Sequence, residues 1–438
     1  MNKLLQGIKK INSIDFSKEQ IINFLLHIVV IIVPFIIFDF DLLGINKDVS
    51  KGHSQYLEGK VFFLLLIGIL LIILGIMTLR KINLPNIISL IFLLTIFIAS
   101  VFSDYKYVAF IGSPNRGEGF FMIFVYVIIF ILASHYFKPG KITIRIIFIS
   151  SVLMSLIALI QFLGFDLVAY ILKFSQPAIH DAVGTLGNRN FMGTYTLIFL
   201  ILSMSIYIFK GKKEYLVYAV FNFIGLMSSL TRGWWIAFII VSIIGTFFII
   251  KRKDCLKRAL LLVSALLVIF IAINLTTGNK VIERCSINNI VEDGKLVNSA
   301  NAREQIFNVS LRAFCEKPFL GTGPDTLKLR LEDDFTKEYY EYLLNEKEYI
   351  DKAHNEFLEY AVSDGIFTVI AYVALLVVII IRLIKNKKDD INKVLLLVII
   401  GYILQSILNI STVGVAQIFW IILGYAICRN NKQGLEEK

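Results

Sequence analysis

Residues Val61–Leu79 read VFFLLLIGILLIILGIMTL, a run without a charge whose most polar side chain is one threonine. Crossing the hydrocarbon core of a bilayer takes about 20 mostly apolar residues, so the run reads as a spanning helix and makes lipid the solvent. Eleven further runs approach or meet that length: Ile21–Phe38, Asn86–Phe102, Phe120–Phe137, Ile146–Gly164, Phe191–Phe209, Tyr215–Leu230, Trp234–Ile250, Ala259–Leu275, Phe357–Ile381, Val394–Ile410 and Val413–Cys428. The chain as a whole agrees, with 57% hydrophobic and 18% charged residues and a mean hydropathy of +0.75, far from the soluble norm. The expected fold is an all-α integral membrane protein, a bundle of about twelve transmembrane helices with one large external loop containing short helices. Residues 1–275 form an N-terminal bundle of about nine spans, 276–355 the loop, and 356–438 a C-terminal bundle of about three spans.

Lys3, Lys9, Lys10 and Lys18 precede the first run as in a signal peptide. The run continues into Phe38-Asp39-Phe40-Asp41 without a small-residue cleavage site, so it reads as a retained anchor. Cytoplasmic loops carry excess Lys and Arg. With the N-terminus inside, the inner segments (the N-terminal tail, Arg80-Lys81, Lys138–Arg145, Lys210–Lys213, Lys251–Arg258, Arg382–Lys393 and the tail after Cys428) hold 25 basic residues, against eight in the short outer loops. The polar stretch Thr276–Lys352, with eleven of the 44 basic residues, then lies outside and both termini lie in the cytoplasm. The net charge of +11 is mostly a topology signal and calls for no nucleic acid. Cys255 and Cys428 fall inside, while Cys285 and Cys315 share the outer loop as a possible disulfide or as two unpaired thiols.

Lysine dominates the inner loops, whereas the short outer loops carry Arg116, Arg189 and Arg232 in glycine-containing turns: Gly112-Ser113-Pro114-Asn115-Arg116-Gly117-Glu118-Gly119, Gly187-Asn188-Arg189-Asn190 and Thr231-Arg232-Gly233-Trp234-Trp235. Glycine lets backbone approach a ligand closely, and a guanidinium binds phosphate oxygens two at a time. The three turns together suggest a site for an anionic lipid head group, the alternative for each being an interfacial anchor. In the long loop, Val281–Asn301 has no assignment beyond a turn at Glu292-Asp293-Gly294. From Arg303 the spacing of Ile306, Val309 and Ala313, and of Phe307, Leu311 and Phe314, predicts a helix flanked by Arg303 and Arg312. Pro318-Phe319-Leu320-Gly321-Thr322-Gly323-Pro324 ends it. Leu327–Tyr349 predicts a second helix whose acids read as a solvated face or lid, without the spacing of a metal site. His354, just before the tenth run, is the side chain able to take a proton near neutral pH or, equally, to act as an interfacial cap. Asn355 and Glu359 are four residues apart and share a helix face.

In order, Gly184-Thr185-Leu186-Gly187-Asn188-Arg189-Asn190, Thr231-Arg232-Gly233, Arg303 with its helix, Lys317-Pro318-Phe319-Leu320-Gly321-Thr322-Gly323-Pro324, and Ala353-His354-Asn355 with Leu358-Glu359 resemble the O-antigen ligase and O-antigen polymerase superfamily of bacterial membrane glycan transferases. The resemblance covers roughly residues 100–430. It implies transfer of a glycan from a polyprenyl diphosphate carrier to an acceptor hydroxyl on a glycan, lipid or protein, at the outer face of the bacterial cytoplasmic membrane. No cofactor and no metal are expected. His354 matches the family's base, and Arg232 and Arg303 its diphosphate-binding arginines. Arg116, Arg189, Asn188, Asn190, Arg312, Asn355 and Glu359 are the expected substrate-binding residues. Arg189 departs from the pattern, which more often has proline there, and either adds a cation or is merely tolerated. The competing readings are a transporter of small anions and a non-catalytic glycan-binding membrane protein. The span interiors, nearly free of charge apart from His27, disfavour the transporter.

Overall fold

The computed structural model describes residues 17–38, 56–79, 81–114, 116–173, 182–285, 291–292, 295–296, 299–346 and 349–436. Lys3, Lys9, Lys10, Asp39 to Asp41, Arg80, Asn115, Asp293, Gly294 and Glu348, used above, lie outside them. In chain order the helices are α1 Lys18–Ile31, α2 Glu58–Thr78, α3 Leu84–Val101, α4 Lys106–Ile111, α5 Phe120–Tyr136, α6 Lys141–Phe162, α7 Leu167–Leu172, α8 Arg189–Lys210, α9 Glu214–Ser228 and α10 Arg232–Ile249. There follow α11 Lys253–Thr276, α12 Lys280–Cys285, α13 Ser299–Glu316, α14 Leu327–Asp334, α15 Thr336–Glu346, α16 Glu356–Asp364, α17 Ile366–Lys385, α18 Asp390–Ser406 and α19 Ala416–Glu436. A two-residue ladder, Val291–Glu292 against Lys295–Leu296, flanks the expected turn.

Eight helices are long and apolar enough to cross a membrane: α1 with its 3-10 extension, α2, α3, α6, α8, α10, α11 and α17. Helices α5, α9 and the first part of α19 are apolar but shorter. The chain is a multi-pass membrane protein, with eight such helices among the described residues where about twelve spans were expected. Helix α8 is the axis of one half, 89% of its apolar window being buried against α6, α9, α10, α11 and α18. A helix hydrophobic all round belongs in a core. Helix α5 is the counterpart in the other half, packed on α2, α3 and α19. Peripheral α11 buries 22% of its window and turns Leu260, Val263, Leu267 and Val268 outward.

Among the described residues, the one buried lysine of the membrane helices is fully satisfied. Lys60, counted among the outer-loop charges in the sequence, is fully buried in α2 and donates to the carbonyls of Ile36, Tyr56 and Thr185 at 2.7, 2.6 and 2.7 Å. Three carbonyls satisfy its three N–H donors without a carboxylate.

Helices α13 to α16 share a core of their own. Ile306, Val309 and Ala313 of the predicted stripe are buried there, while Phe307 and Leu311 of the parallel stripe stay exposed. Cys285 and Cys315 are separate exposed thiols, so the possible disulfide is not formed.

The tenth run is two helices. Gly365, between α16 and α17, has φ 82° and ψ 173°, a conformation open essentially to glycine alone. The Pro318–Pro324 turn docks into this break: Ile366 N–H donates to the Pro318 carbonyl at 2.9 Å, and Thr322 and Gly323 donate to the Ser363 carbonyl at 3.0 and 2.7 Å. A Cβ on Gly365 would overlap the Phe319 carbonyl. Gly365→Ala is therefore expected to destabilise the fold by at least about 2 kcal/mol, read as a lowered thermal midpoint of the purified protein. An unchanged midpoint would mean that the docked turn contributes little.

Candidate functional site

Two helix starts bring the first cations together. Asn188 has extended backbone, and its side-chain oxygen accepts the Asn190 N–H at 2.8 Å, so that α8 begins on Arg189. Helix α10 begins on Arg232, after Leu230 in the left-handed region at φ 51°, a rare setting for a bulky side chain. The two helices touch at Gly193, where a Cβ would meet Thr231 Oγ1 at 2.6 Å. One turn further, Trp234 Nε1 donates to Thr194 Oγ1 at 2.8 Å, and Thr194 to Gln405 Oε1 at 2.9 Å. Such interhelical bonds in apolar surroundings set the register of the two helices and hence of their arginines.

Two more arginines come from the segment between α11 and α14. Arg232 Nε donates to the Arg284 carbonyl at 2.6 Å, and Arg284 Nε returns a bond to the Leu230 carbonyl at 3.3 Å. Arg303 enters from α13. Burial first, then the neighbouring guanidinium groups, hold Arg284 and Arg303 below the usual arginine range. Among the described residues Arg189, Arg284 and Arg303 form no ion pair. Cations that outnumber the carboxylates around them gain from any anion that enters.

His354 is held on a rigid turn. Its backbone is left-handed at φ 50°, which histidine tolerates better than most residues. Asn355 caps α16, accepting from the Phe357 and Leu358 N–H groups at 3.0 Å each. The Glu359 carboxylate accepts the Ala353 N–H at 2.8 Å and pairs with Lys352 at 3.2 Å, and Lys352 pairs with Asp325 at 3.0 Å. Asp351 pairs with Arg116 at 2.7 Å. Burial, opposed by Asp351 and reinforced by Arg116 and Arg303, lowers the His354 imidazole to about 4. It is thus neutral at physiological pH, with Nδ1 buried and unbonded.

Arg189, Arg232, Arg284, Arg303 and His354 line one cavity of about 620 Å³, with Glu346 as its carboxylate and Trp234, Ile236 and Leu408 on its apolar wall. Four arginines and one glutamate leave a formal excess of three positive charges. Guanidinium groups gripping oxygens beside a neutral imidazole can bind a polyanion and accept a proton at its edge.

Residues 217–373 match the O-antigen ligase family model. The match supports the superfamily resemblance carried by the motifs. No curated protein matches the chain. The O-antigen ligase stretch contains Arg232, Arg284, Arg303 and His354, whereas Arg189 precedes it. Of the residues expected in the site, Arg189, Arg232, Arg303, Asn190 and His354 line this cavity. The other expected residues lie elsewhere. Asn188 caps α8 and borders a second pocket with Arg116. Asn355 and Glu359 support the turn from behind. Arg312 pairs with Glu338 at 2.7 Å, its guanidinium 5.4 Å from the Phe335 ring, on the exposed side of α13.

Arg284 and Glu346 went unread in the sequence. Arg284 falls in the unassigned Val281–Asn301 stretch and has no glycine turn to mark it. Glu346 is one of many acids in its run, several of which are spoken for: Asp333 accepts from Tyr105 at 2.5 Å and Glu338 from Arg312.

Proposed function

We propose that the protein is a membrane glycosyltransferase that moves a glycan from a polyprenyl diphosphate carrier to an acceptor hydroxyl at the outer face of the cytoplasmic membrane, in assembly of a surface polysaccharide. The observation that carries this reading is the convergence of four arginines and a neutral histidine on one cavity. The acceptor hydroxyl gives its proton to His354, its oxygen bonds to the anomeric carbon, and the bond from that carbon to the diphosphate breaks with the electron pair going to the diphosphate. A glycosylated diphosphate carries two negative charges and the departing one acquires a third, matching the cavity's formal excess. Arg189, Arg232, Arg284 and Arg303 thus stabilise the charge that develops in the transition state. Asp325 and Glu359, buried behind the site, form the ion pairs with Lys352 that support the His354 turn.

The test is the glycan profile of the native host with and without the gene. Loss of long or transferred glycan with accumulation of its lipid-linked donor is expected on deletion. A normal profile would sink the reading.

A pH profile follows from the imidazole. The base works only when neutral, and protonation is held down to about 4 in the free enzyme. Because kcat/KM reports groups of the free enzyme, it is expected to keep the His354 contribution from pH 8 to about 5 and lose it near 4. An entering diphosphate favours the imidazolium, so the acid limb of kcat is expected at higher pH. An acid limb of kcat/KM at the ordinary histidine value would contradict the burial of this ring.

A further inference from the structure

A cavity of about 30 Å³, which shares no lining residue with the arginine cavity, is bounded by Glu118 before α5, Asp325 after the Pro318–Pro324 turn, Lys352, and Glu356, Glu359 and Asp364 of α16. All six side chains are buried, and Asp364 is only 2% exposed. One water needs about 10–15 Å³, so the cavity has room for about two.

Five carboxylates face one ammonium here. Asp325 and Glu359 take the ammonium, at 3.0 and 3.2 Å, and each has backbone donors besides. Asp325 accepts the Ser113 and Glu118 N–H groups at 2.6 and 3.2 Å, and Glu359 the Ala353 N–H at 2.8 Å. Among the described residues, Glu118, Glu356 and Asp364 pair with no cation. The neighbouring Arg116 is already bound to Asp351 at 2.7 Å. Glu118 accepts from the hydroxyls of Tyr126 in α5 and Ser411 at 3.3 and 3.2 Å, and Glu356 from those of Tyr372 in α17 and Tyr402 in α18 at 2.7 and 3.1 Å. Asp364 Oδ1 has no hydrogen-bond partner among the described residues, and Tyr360 completes the titratable lining.

An ionised carboxylate buried without a counter-charge is so costly that the group takes up a proton instead. Three such groups around one cavity need either protons or a bound cation. Among the described residues no three His, Cys, Asp or Glu side chains are arranged to hold a metal ion, which favours protons. Burial accordingly pushes Glu118 and Glu356 up to about 7, and Asp364 well above its ordinary value.

We propose that this cavity is a proton-binding site, in which Glu118, Glu356 and Asp364 hold protons up to neutral pH. The protons leave Lys352 to Asp325 and Glu359, and so keep in place the ion pairs that support the His354 turn. The assignment stands apart from the transferase reading.

Infrared difference spectra of the purified full-length protein test this directly, because a protonated carboxyl has a carbonyl stretch of its own. The wild type at pH 7 is expected to show that band, and Glu118→Gln, Glu356→Gln and Asp364→Asn each to lose part of it. The thermal midpoint gives a second readout. The fold keeps protons that an unfolded chain releases near about 4, so the stability they provide is full below that value and is lost as pH rises through 7. A carboxamide mimics the neutral acid without titrating. Glu118→Gln is therefore expected to stay close to the wild type at pH 5 and to melt about 2 °C or more above it at pH 8. A midpoint lowered equally at both pH values would make Glu118 an ordinary hydrogen-bond acceptor and overturn the assignment. So would a pH 7 spectrum that lacks the band or is unchanged by all three substitutions. Loss of the band in sodium chloride, but not in choline chloride at equal concentration, would give the site to a cation and equally end the proton assignment. If the variants fail to fold, the wild-type spectrum decides: the band is expected to shrink between pH 5 and 9, and a constant band overturns the proposal.

Discussion

His354→Asn is expected to slow glycan transfer by roughly 10²–10⁴-fold, the usual worth of a positioned general base. Asparagine is the informative replacement. His354 lies in the left-handed region at φ 50°, where asparagine, like histidine, is accepted and alanine adds strain of about 1–2 kcal/mol. The neighbouring supports stay in place: Asn355 still caps α16, and Glu359 still holds Ala353 and Lys352. A loss in His354→Asn with an unchanged thermal midpoint and unchanged donor binding is thus a loss of proton transfer. Turnover within tenfold of wild type would assign the proton to another acceptor and leave His354 as a wall residue.

Arg232→Lys keeps the charge and is expected to lower kcat/KM by about 10²–10³-fold, as losing one preorganised donor at a developing anion does. Two features are lost at once. The guanidinium holds the Arg284 carbonyl through Nε at 2.6 Å, and a lysine is a point charge without the planar fork that grips two phosphate oxygens. The deficit should fall more on kcat than on KM, because the third charge of the diphosphate appears only as the glycosidic bond breaks. The same assay with Arg303→Lys provides the comparison, since Arg303 is half-buried beside the other arginines and enters from a different helix. A change confined to KM would make Arg232 a substrate anchor and nothing more.

Several residues of the candidate site were legible one turn at a time. Arg232 and Arg189 announced themselves by glycine-containing turns at the ends of apolar runs, and both begin helices that open on the cavity. Arg303 was placed by its helix, and His354 by its position before an apolar run. Arg284 gave no local sign, because its role comes from a carbonyl exchange with the Leu230–Arg232 turn more than 50 residues earlier. Asn188, Asn355 and Glu359 were grouped with the ligand residues because motif order records which residues occur together. It does not record whether a side chain faces the cavity or holds the backbone behind it.

By itself, the sequence determined the solvent and most of the helices, though not the breaks that divide Leu327–Tyr349 at Phe335 and the tenth run at Gly365. Apolar runs of membrane length dictate helices, since in lipid every backbone donor and acceptor must find its partner within the segment. The stripe Ile306, Val309 and Ala313 likewise marked a helix, whose buried face joins the smaller core of α13 to α16. Only the tertiary structure decided that the tenth run breaks at Gly365 to receive the Pro318–Pro324 turn, that Lys60 is buried, and that four arginines from α8, α10, α12 and α13 line one cavity with a histidine. Those outcomes depend on contacts between residues far apart in the chain, such as Gly193 against Thr231 and Asp325 against Lys352. Hydropathy reports how each segment partitions between water and lipid; which segments then meet is settled by packing and by the pairing of buried polar groups.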